Sequence, residues 1–187
     1  MPGSGSPNSR RPGRPRKKPQ NGTPMTLTRP PVSFLDRYTG EDFSPLYTAT
    51  VCVTGGEAAH GRASGVARSQ DGTLDLELRM PTQLGGPGGG TNPEELFAAG
   101  FAACFHGALS LLAARAGLSI PDAHVTASVT FGRDPMDGLF TLVAGVRIAL
   151  PSLDRAVAEQ LVRNTERICP YAKMARQGIE CIVSLEP

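Results

Sequence analysis

Apolar positions in the first half of the chain recur at every second residue. Leu46-Tyr47-Thr48-Ala49-Thr50-Val51-Cys52-Val53-Thr54 is rich in β-branched side chains and alternates, which predicts a strand. Gly55-Gly56 breaks it, and a second strand is expected to begin within Gly61-Arg62-Ala63-Ser64-Gly65-Val66-Ala67. After the hairpin signal Asp71-Gly72, Leu74, Leu76, Leu78 and Met80 alternate with Asp75, Glu77 and Arg79. That strand has one wet face and one buried face, so the opening is an antiparallel meander.

The period changes at Asn92. Asn92 is a good N-cap, Pro93 suits the first helical position, and Glu94 and Glu95 favour the positive end of a helix dipole. From Leu96 to Ala114 no side chain is charged apart from a single histidine, His106, which predicts a helix apolar nearly all round and therefore buried. Residues 125–131 and 139–150 then read as strands joined by a turn containing Asp134-Pro135-Met136-Asp137-Gly138. Ser152 is expected to cap a second helix, on which Leu153, Ala156, Val157, Leu161, Val162 and Ile168 keep helical spacing while Arg155, Glu159, Arg163 and Glu166 face water. Pro170 disfavours helical geometry in the residue before it, so that helix stops near Cys169. A short helix over 171–177, with Pro170 as its first residue, and a last strand over 179–185 finish an α+β chain.

Charge divides this picture in two. The chain of 187 residues has a net charge of +2, yet residues 1–29 hold seven Lys or Arg and no acid. Residues 30–187 therefore carry 12 basic and 17 acidic side chains, an acidic domain not built to grip nucleic acid. Residues 1–30 are too poor in apolar side chains to offset chain entropy and are expected to be a disordered basic tail, with the folded domain over 31–187. Within the tail, Arg11-Pro12-Gly13-Arg14-Pro15-Arg16-Lys17-Lys18 looks like an AT-hook that enters the minor groove of DNA; a solvated basic tail is the plainer reading. Met25 offers an alternative start that would delete it. No apolar leader or membrane span is visible, because the longest apolar run is interrupted by Gly and His, and a cytoplasmic location is expected.

The four cysteines, Cys52, Cys104, Cys169 and Cys181, form no C-x-x-C pair, so neither a zinc ribbon nor a thioredoxin motif is present. Packing is the expected role of Cys52 and Cys181, each inside a predicted strand. A thiol in an apolar helix is inert unless a cation offsets its desolvation. A functional Cys104 therefore requires a buried Arg or Lys, an acid to hold it and a second cysteine within reach. Arg62, Glu94 and Cys169 are the candidates, with a plain packed cysteine as the alternative. Cys169 begins a helix, where the dipole favours a thiolate. His106, two residues from Cys104, points to another helix face and reads as packed or hydrogen-bonded rather than as a base. His60 and His124 do not cluster with it, and no metal-ligand spacing is present. The five glycines of Gly85-Gly86-Pro87-Gly88-Gly89-Gly90 suit a loop that lines or covers a pocket, whereas phosphate binding lacks the Lys-Ser or Lys-Thr it needs.

Several of these stretches carry a resemblance. Tyr47-Thr48-Ala49, the loop Leu84-Gly85-Gly86-Pro87-Gly88-Gly89, the run from Thr91 to Phe105 and the late Ile168-Cys169-Pro170-Tyr171 look like the organic hydroperoxide resistance proteins, the Ohr branch of the Ohr/OsmC family. The resemblance implies an OsmC-like α+β fold, with antiparallel sheets wrapped around central helices in an intertwined homodimer. It implies a thiol peroxidase that reduces organic hydroperoxides to alcohols and protects against peroxide stress. Cys104 matches the peroxidatic cysteine, Cys169 the resolving cysteine and Glu94 the carboxylate that holds an active-site arginine. The family shows Gly-Gly-Arg after the first strand, whereas Gly55-Gly56 is followed here by Glu57; a short insertion over 57–60 brings Gly61-Arg62 into register, so Arg62 is the expected arginine and Arg68 the fallback. The resemblance implies no bound cofactor or metal. It implies an external dithiol reductant, dihydrolipoamide on a lipoylated protein. An apolar pocket around Phe97, Phe101 and Phe105 would suit organic peroxides, although these rings also fit a core. Other readings are a redox-responsive DNA-associated protein and a dimeric acyl-binding protein without turnover.

Helix geometry adds a constraint of its own. Ten residues of unbroken helix separate Glu94 from Cys104 by about 15 Å. Either the helix breaks between them or the acid beside each Cys104 comes from a partner chain. Ala98-Ala99-Gly100 with Ala102-Ala103 offers small side chains where two such helices cross closely.

Overall fold

The computed structural model describes residues 34–57 and 63–186. The expected tail, His60 and Arg62 lie outside the described residues. By internal contact the chain divides between Leu46 and Tyr47. Residues 34–46 contain turns and bends without helix or strand, and expose Phe34, Tyr38 and Phe43.

From Tyr47 onward the described residues form two antiparallel sheets and three α-helices. The first sheet runs β1 (Val51–Thr54), β2 (Ser64–Ser69) and β3 (Asp75–Arg79) in sequence order. Thr54 stands opposite Val66 and Val51 opposite Ser69, so β2 turns away at residues 70–73 and, among the described residues, 47–49 have no ladder partner. The hydrogen-bonded strand is therefore shorter than the alternation predicts. Asp71 closes that turn by accepting from Ser69 Oγ (2.5 Å) and Thr73 N (3.1 Å), bonds that hold its carboxyl below the usual carboxylate range.

The glycine loop folds back on β3, and its Pro87 lines a cavity together with Thr54, Val66 and Leu78, as the expected pocket-lining role has it. Gly86 N and Gly88 N donate to Pro81 O and Met80 O at 3.1 Å, and Thr91 closes a parallel bridge beside Leu78. This anchors the start of α1 (Pro93–Arg115). Asn92 caps it by accepting from Glu95 N (2.9 Å), while Glu95 accepts from Thr91 Oγ1 (2.9 Å).

A hairpin of two ten-residue strands follows, β4 (His124–Arg133) and β5 (Phe140–Ala149), in register from His124 opposite Ala149 to Arg133 opposite Phe140. Then come α2 (Arg155–Ile168) and α3 (Pro170–Gln177). The cap of α2 differs from expectation. Asp154 accepts from Ala156 N (2.9 Å), whereas Ser152 Oγ is turned to Asp122 (2.7 Å). A carboxylate nearer the first free N–H groups takes the site.

α1 packs chiefly on β4, α2 and α3. Its buried residues are Phe101, Phe105, Leu109 and Ala113, four apart, so one stripe faces the core. Val125, Ala127, Val146 and Ile148 meet Phe101 and Phe105, and Leu150 and Leu161 meet Leu109 and Ala113. Full burial of each large side chain contributes about 1.5–3 kcal/mol. Burial all round does not occur within one chain, because Ala99, Ala103, His106 and Leu111 on the remaining faces are exposed. By length and composition α1 would cross a membrane; here it is the central helix of a sheet-and-helix core. Nor do residues 179–185 form a strand: among the described residues they have no ladder partner, and Ile179, Ile182, Val183 and Leu185 are exposed. Cys52 and Cys181 are exposed with them, contrary to a packing role within the chain.

Candidate functional site

Two thiols 65 positions apart in sequence meet under the aromatic side of α1. Cys104 occupies the helix one turn beyond Gly100, next to Phe105 and flanked by the buried stripe. Cys169 is both the last residue bounding α2 and the N-cap of α3, in extended geometry (φ −69°, ψ 117°). Pro170 enforces that break, since it has no N–H to continue α2 and its ring restricts the preceding residue. The break turns the Cys169 side chain inward, fully buried, and brings its Sγ within 3.5 Å of Cys104 Sγ. Both are free thiols, and Cys104 is the half-buried one.

The electrostatics divide unequally between them. Burial pushes the Cys104 thiol above its ordinary range, the backbone N–H of Tyr171 pulls it down, and the adjacent Cys169 raises it again. At the start of α3 Cys169 makes no side-chain cap bond, and the backbone N–H of Tyr171, the second residue of that helix, acts on the Cys104 thiol.

Tyr171 is the site residue that sequence reasoning passed over. Its ring lies 6.1 Å from Phe97 and 5.9 Å from Phe101, closing an aromatic wall around the thiols. Gly100 permits this approach, because a Cβ there would stand 2.9 Å from Tyr171 Oη. A glycine inside an otherwise strong helix, paired with an aromatic beside Cys-Pro, was the available signal. Phe101 and Phe105 are themselves core residues. A cavity of ≈ 340 Å³ borders both of them on the side of β5 and α2, and neither sulfur lines it.

The remaining candidates stand as follows. Glu94 is half-buried in the first turn of α1. The helix is continuous from Pro93 to Arg115, which removes the first of the two alternatives, a break, and leaves Glu94 about 15 Å along the axis from Cys104 in the same chain. Arg68, the fallback cation, is exposed on β2 and paired with Asp75 at 3.2 Å. His106 is exposed, and His124 Nδ1 lies 3.3 Å from Asp122 O. Among the described residues no group of His, Cys, Asp and Glu is arranged to hold a metal ion.

Comparison with known proteins bears on this arrangement. Residues 86–184 match the family described as OsmC-like protein. An organic hydroperoxide resistance protein of Xanthomonas axonopodis pv. citri is 43% identical over 142 residues, which cover 75% of this chain and 94% of that one. The chain belongs to the Ohr/OsmC family, on its organic hydroperoxide resistance branch. Solved Ohr structures share its fold. The organic hydroperoxide resistance protein OhrB of Bacillus subtilis superposes with a TM-score of 0.61 at 38% identity, covering 71% of this chain and 93% of that one. A Vibrio cholerae relative, with captopril bound in one of its active sites, gives 0.64 at 34% identity, covering 75% and 92%. The α+β architecture and antiparallel sheets expected from the sequence are those of the family.

Proposed function

We propose that this Ohr/OsmC chain is a cysteine-based peroxidase that reduces organic hydroperoxides to alcohols. The observation that carries the proposal is the 3.5 Å approach of Cys104 Sγ to Cys169 Sγ. The Cys104 thiolate attacks the distal peroxide oxygen, the O–O bond breaks, and the alkoxide leaves with a proton as the alcohol. Cys104 is left as a sulfenic acid. Cys169 attacks that sulfur, a disulfide forms, and water departs. An external dithiol, dihydrolipoamide on a lipoylated protein in this reading, returns both thiols and becomes a disulfide itself. No bound cofactor takes part.

A half-buried thiol with a raised pKa needs a cation to be reactive near neutral pH. Arg62 fills that role in the proposal, held by Glu94. Because α1 is continuous, the Glu94 that serves each Cys104 comes from a second copy, so the working unit is a homodimer. The open apolar faces support this: Leu111 on α1, Val51 and Val53 on β1, Leu142 and Val143 on β5, and residues 179–185 leave too much apolar surface for a lone chain. Four dispersed free thiols fit a reducing, cytoplasmic setting.

Peroxide consumption with cumene hydroperoxide and dihydrolipoamide tests the reading. Cys104→Ser abolishes turnover, and Cys169→Ser leaves a sulfenic or overoxidised Cys104 visible by mass spectrometry. Both thiols still titrating as free after organic peroxide treatment would overturn it.

A further inference from the structure

The helices that flank Cys169 carry charge opposite to that of the domain around them. Residues 155–177 hold five cations, Arg155, Arg163, Arg167, Lys173 and Arg176, against Glu159 and Glu166, while the rest of residues 30–187 holds seven basic and 15 acidic side chains. Three of the five cations are engaged. Arg155 and Arg163 share Glu159 at 2.5 and 3.8 Å, and Arg176 binds the Glu166 carboxylate and carbonyl, tying α3 to α2. Arg167 and Lys173 have no ion-pair partner among the described residues, and both are exposed. They occupy the last turn of α2 and the first turn of α3, the two turns that meet at Cys169, with Ile168 (41% exposed) and Pro170 presented between them. Lys173 lies at the end of its helix where a cation opposes the dipole, so local helix stability does not account for it.

Burial of the two sulfurs gives this patch a direction. Cys169 is fully enclosed by its own chain, so an outside thiol meets the Cys104 sulfur. The carrier thiolate then attacks Cys104 Sγ, the Cys104–Cys169 bond breaks, and its electron pair leaves on Cys169 Sγ, which takes a proton. The second carrier thiol attacks the mixed disulfide, freeing Cys104 and leaving the carrier oxidised. The α2–α3 junction lies beside the Cys104 sulfur, 3.5 Å from it at the inner thiol, so a protein body that delivers a dithiol on an arm can rest there.

Resting on the peroxidase reading, we propose that Arg167 and Lys173, with Ile168 and Pro170 between them, form the docking surface for an acidic protein domain that carries the reducing dithiol on a flexible arm. Opposite charge on the two surfaces raises the encounter rate and is screened by salt.

Turnover is measured with two reductants, free dihydrolipoamide and a reduced lipoylated carrier domain of net negative charge, across ionic strengths. The Arg167→Glu/Lys173→Glu variant is expected to lose about tenfold or more in kcat/KM for the carrier at low salt, and to lose the fall in rate with added salt. Its turnover with free dihydrolipoamide stays at the wild-type value, which also shows that it is folded; if it does not, Arg167→Gln/Lys173→Gln takes its place. Equal effects of the glutamine variant on both reductants, a glutamate variant that turns over normally with the carrier, or a wild-type carrier rate independent of salt overturns the docking proposal alone. Failure of the wild-type protein to turn over with free dihydrolipoamide overturns the peroxidase reading, and docking with it.

Discussion

Cys104 carries two opposed influences whose balance sets its reactivity. Burial and the neighbouring thiol favour the protonated form, and a single backbone N–H favours the thiolate. One such bond to a charged group is worth about 1.5–3 kcal/mol, or roughly one to two pH units. Tyr171→Pro removes the N–H and the ring, whereas Tyr171→Ala removes the ring alone. The pH at which iodoacetamide alkylation of Cys104 reaches half its maximum is therefore expected to lie about one unit higher in the proline variant than in the alanine variant. Equal midpoints would assign the N–H no role. The same titration separates the arginines. If Arg62 offsets desolvation, Arg62→Ala moves the midpoint above the ordinary thiol value of about 8.5. The sign follows from burial: without a cation the neutral thiol is favoured, so more alkali is needed to ionise it. Arg68→Ala leaves the midpoint where it was, because Arg68 is engaged by Asp75 in water.

Among the elements, α1 shows how far sequence reached and where it stopped. Its start was legible from Asn92, Pro93 and two glutamates, all of which act locally, and the structure uses each as expected. The α2 cap was not legible, because Ser152 and Asp154 both suit the position and the choice depends on Asp122, thirty residues away. Asp154→Ala is accordingly expected to cost about 1 kcal/mol of stability, and Ser152→Ala less than about 0.5 kcal/mol, by urea unfolding. A larger loss at Ser152 would contradict the assigned cap. The strand over 179–185 was predicted from its own alternation, yet a strand exists only with a ladder partner, and alternation says nothing about where the partner lies. Cys104 and Cys169 could be named from their surroundings in sequence, but not their 3.5 Å approach, which depends on the Pro170 break and on Gly100 admitting Tyr171.

For the whole molecule the unbroken helix is decisive. Glu94 and Cys104 on one α1 are about 15 Å apart, farther than one arginine spans while touching both. If the carboxylate acts at all, it acts on the thiol of another copy, and this has a consequence that a single-chain site lacks. Glu94→Ala has its nucleophile but no partner carboxylate, and Cys104→Ser has the carboxylate but no nucleophile, so each homodimer alone is expected to be nearly inactive. In a mixed dimer, the Cys104 of the first variant faces the Glu94 of the second, and one of the two sites is whole. Random reassortment makes about half the dimers mixed with one intact site of two, so equal mixing after unfolding and refolding restores about a quarter of wild-type turnover. Restoration also requires association: Ala103→Glu on the exposed face of α1 is expected to yield monomers by sedimentation and to abolish the recovery. If the mixture stays inactive while mixed dimers are demonstrably present, Glu94 serves its own chain, and the continuous helix must open between Glu94 and Cys104 during turnover.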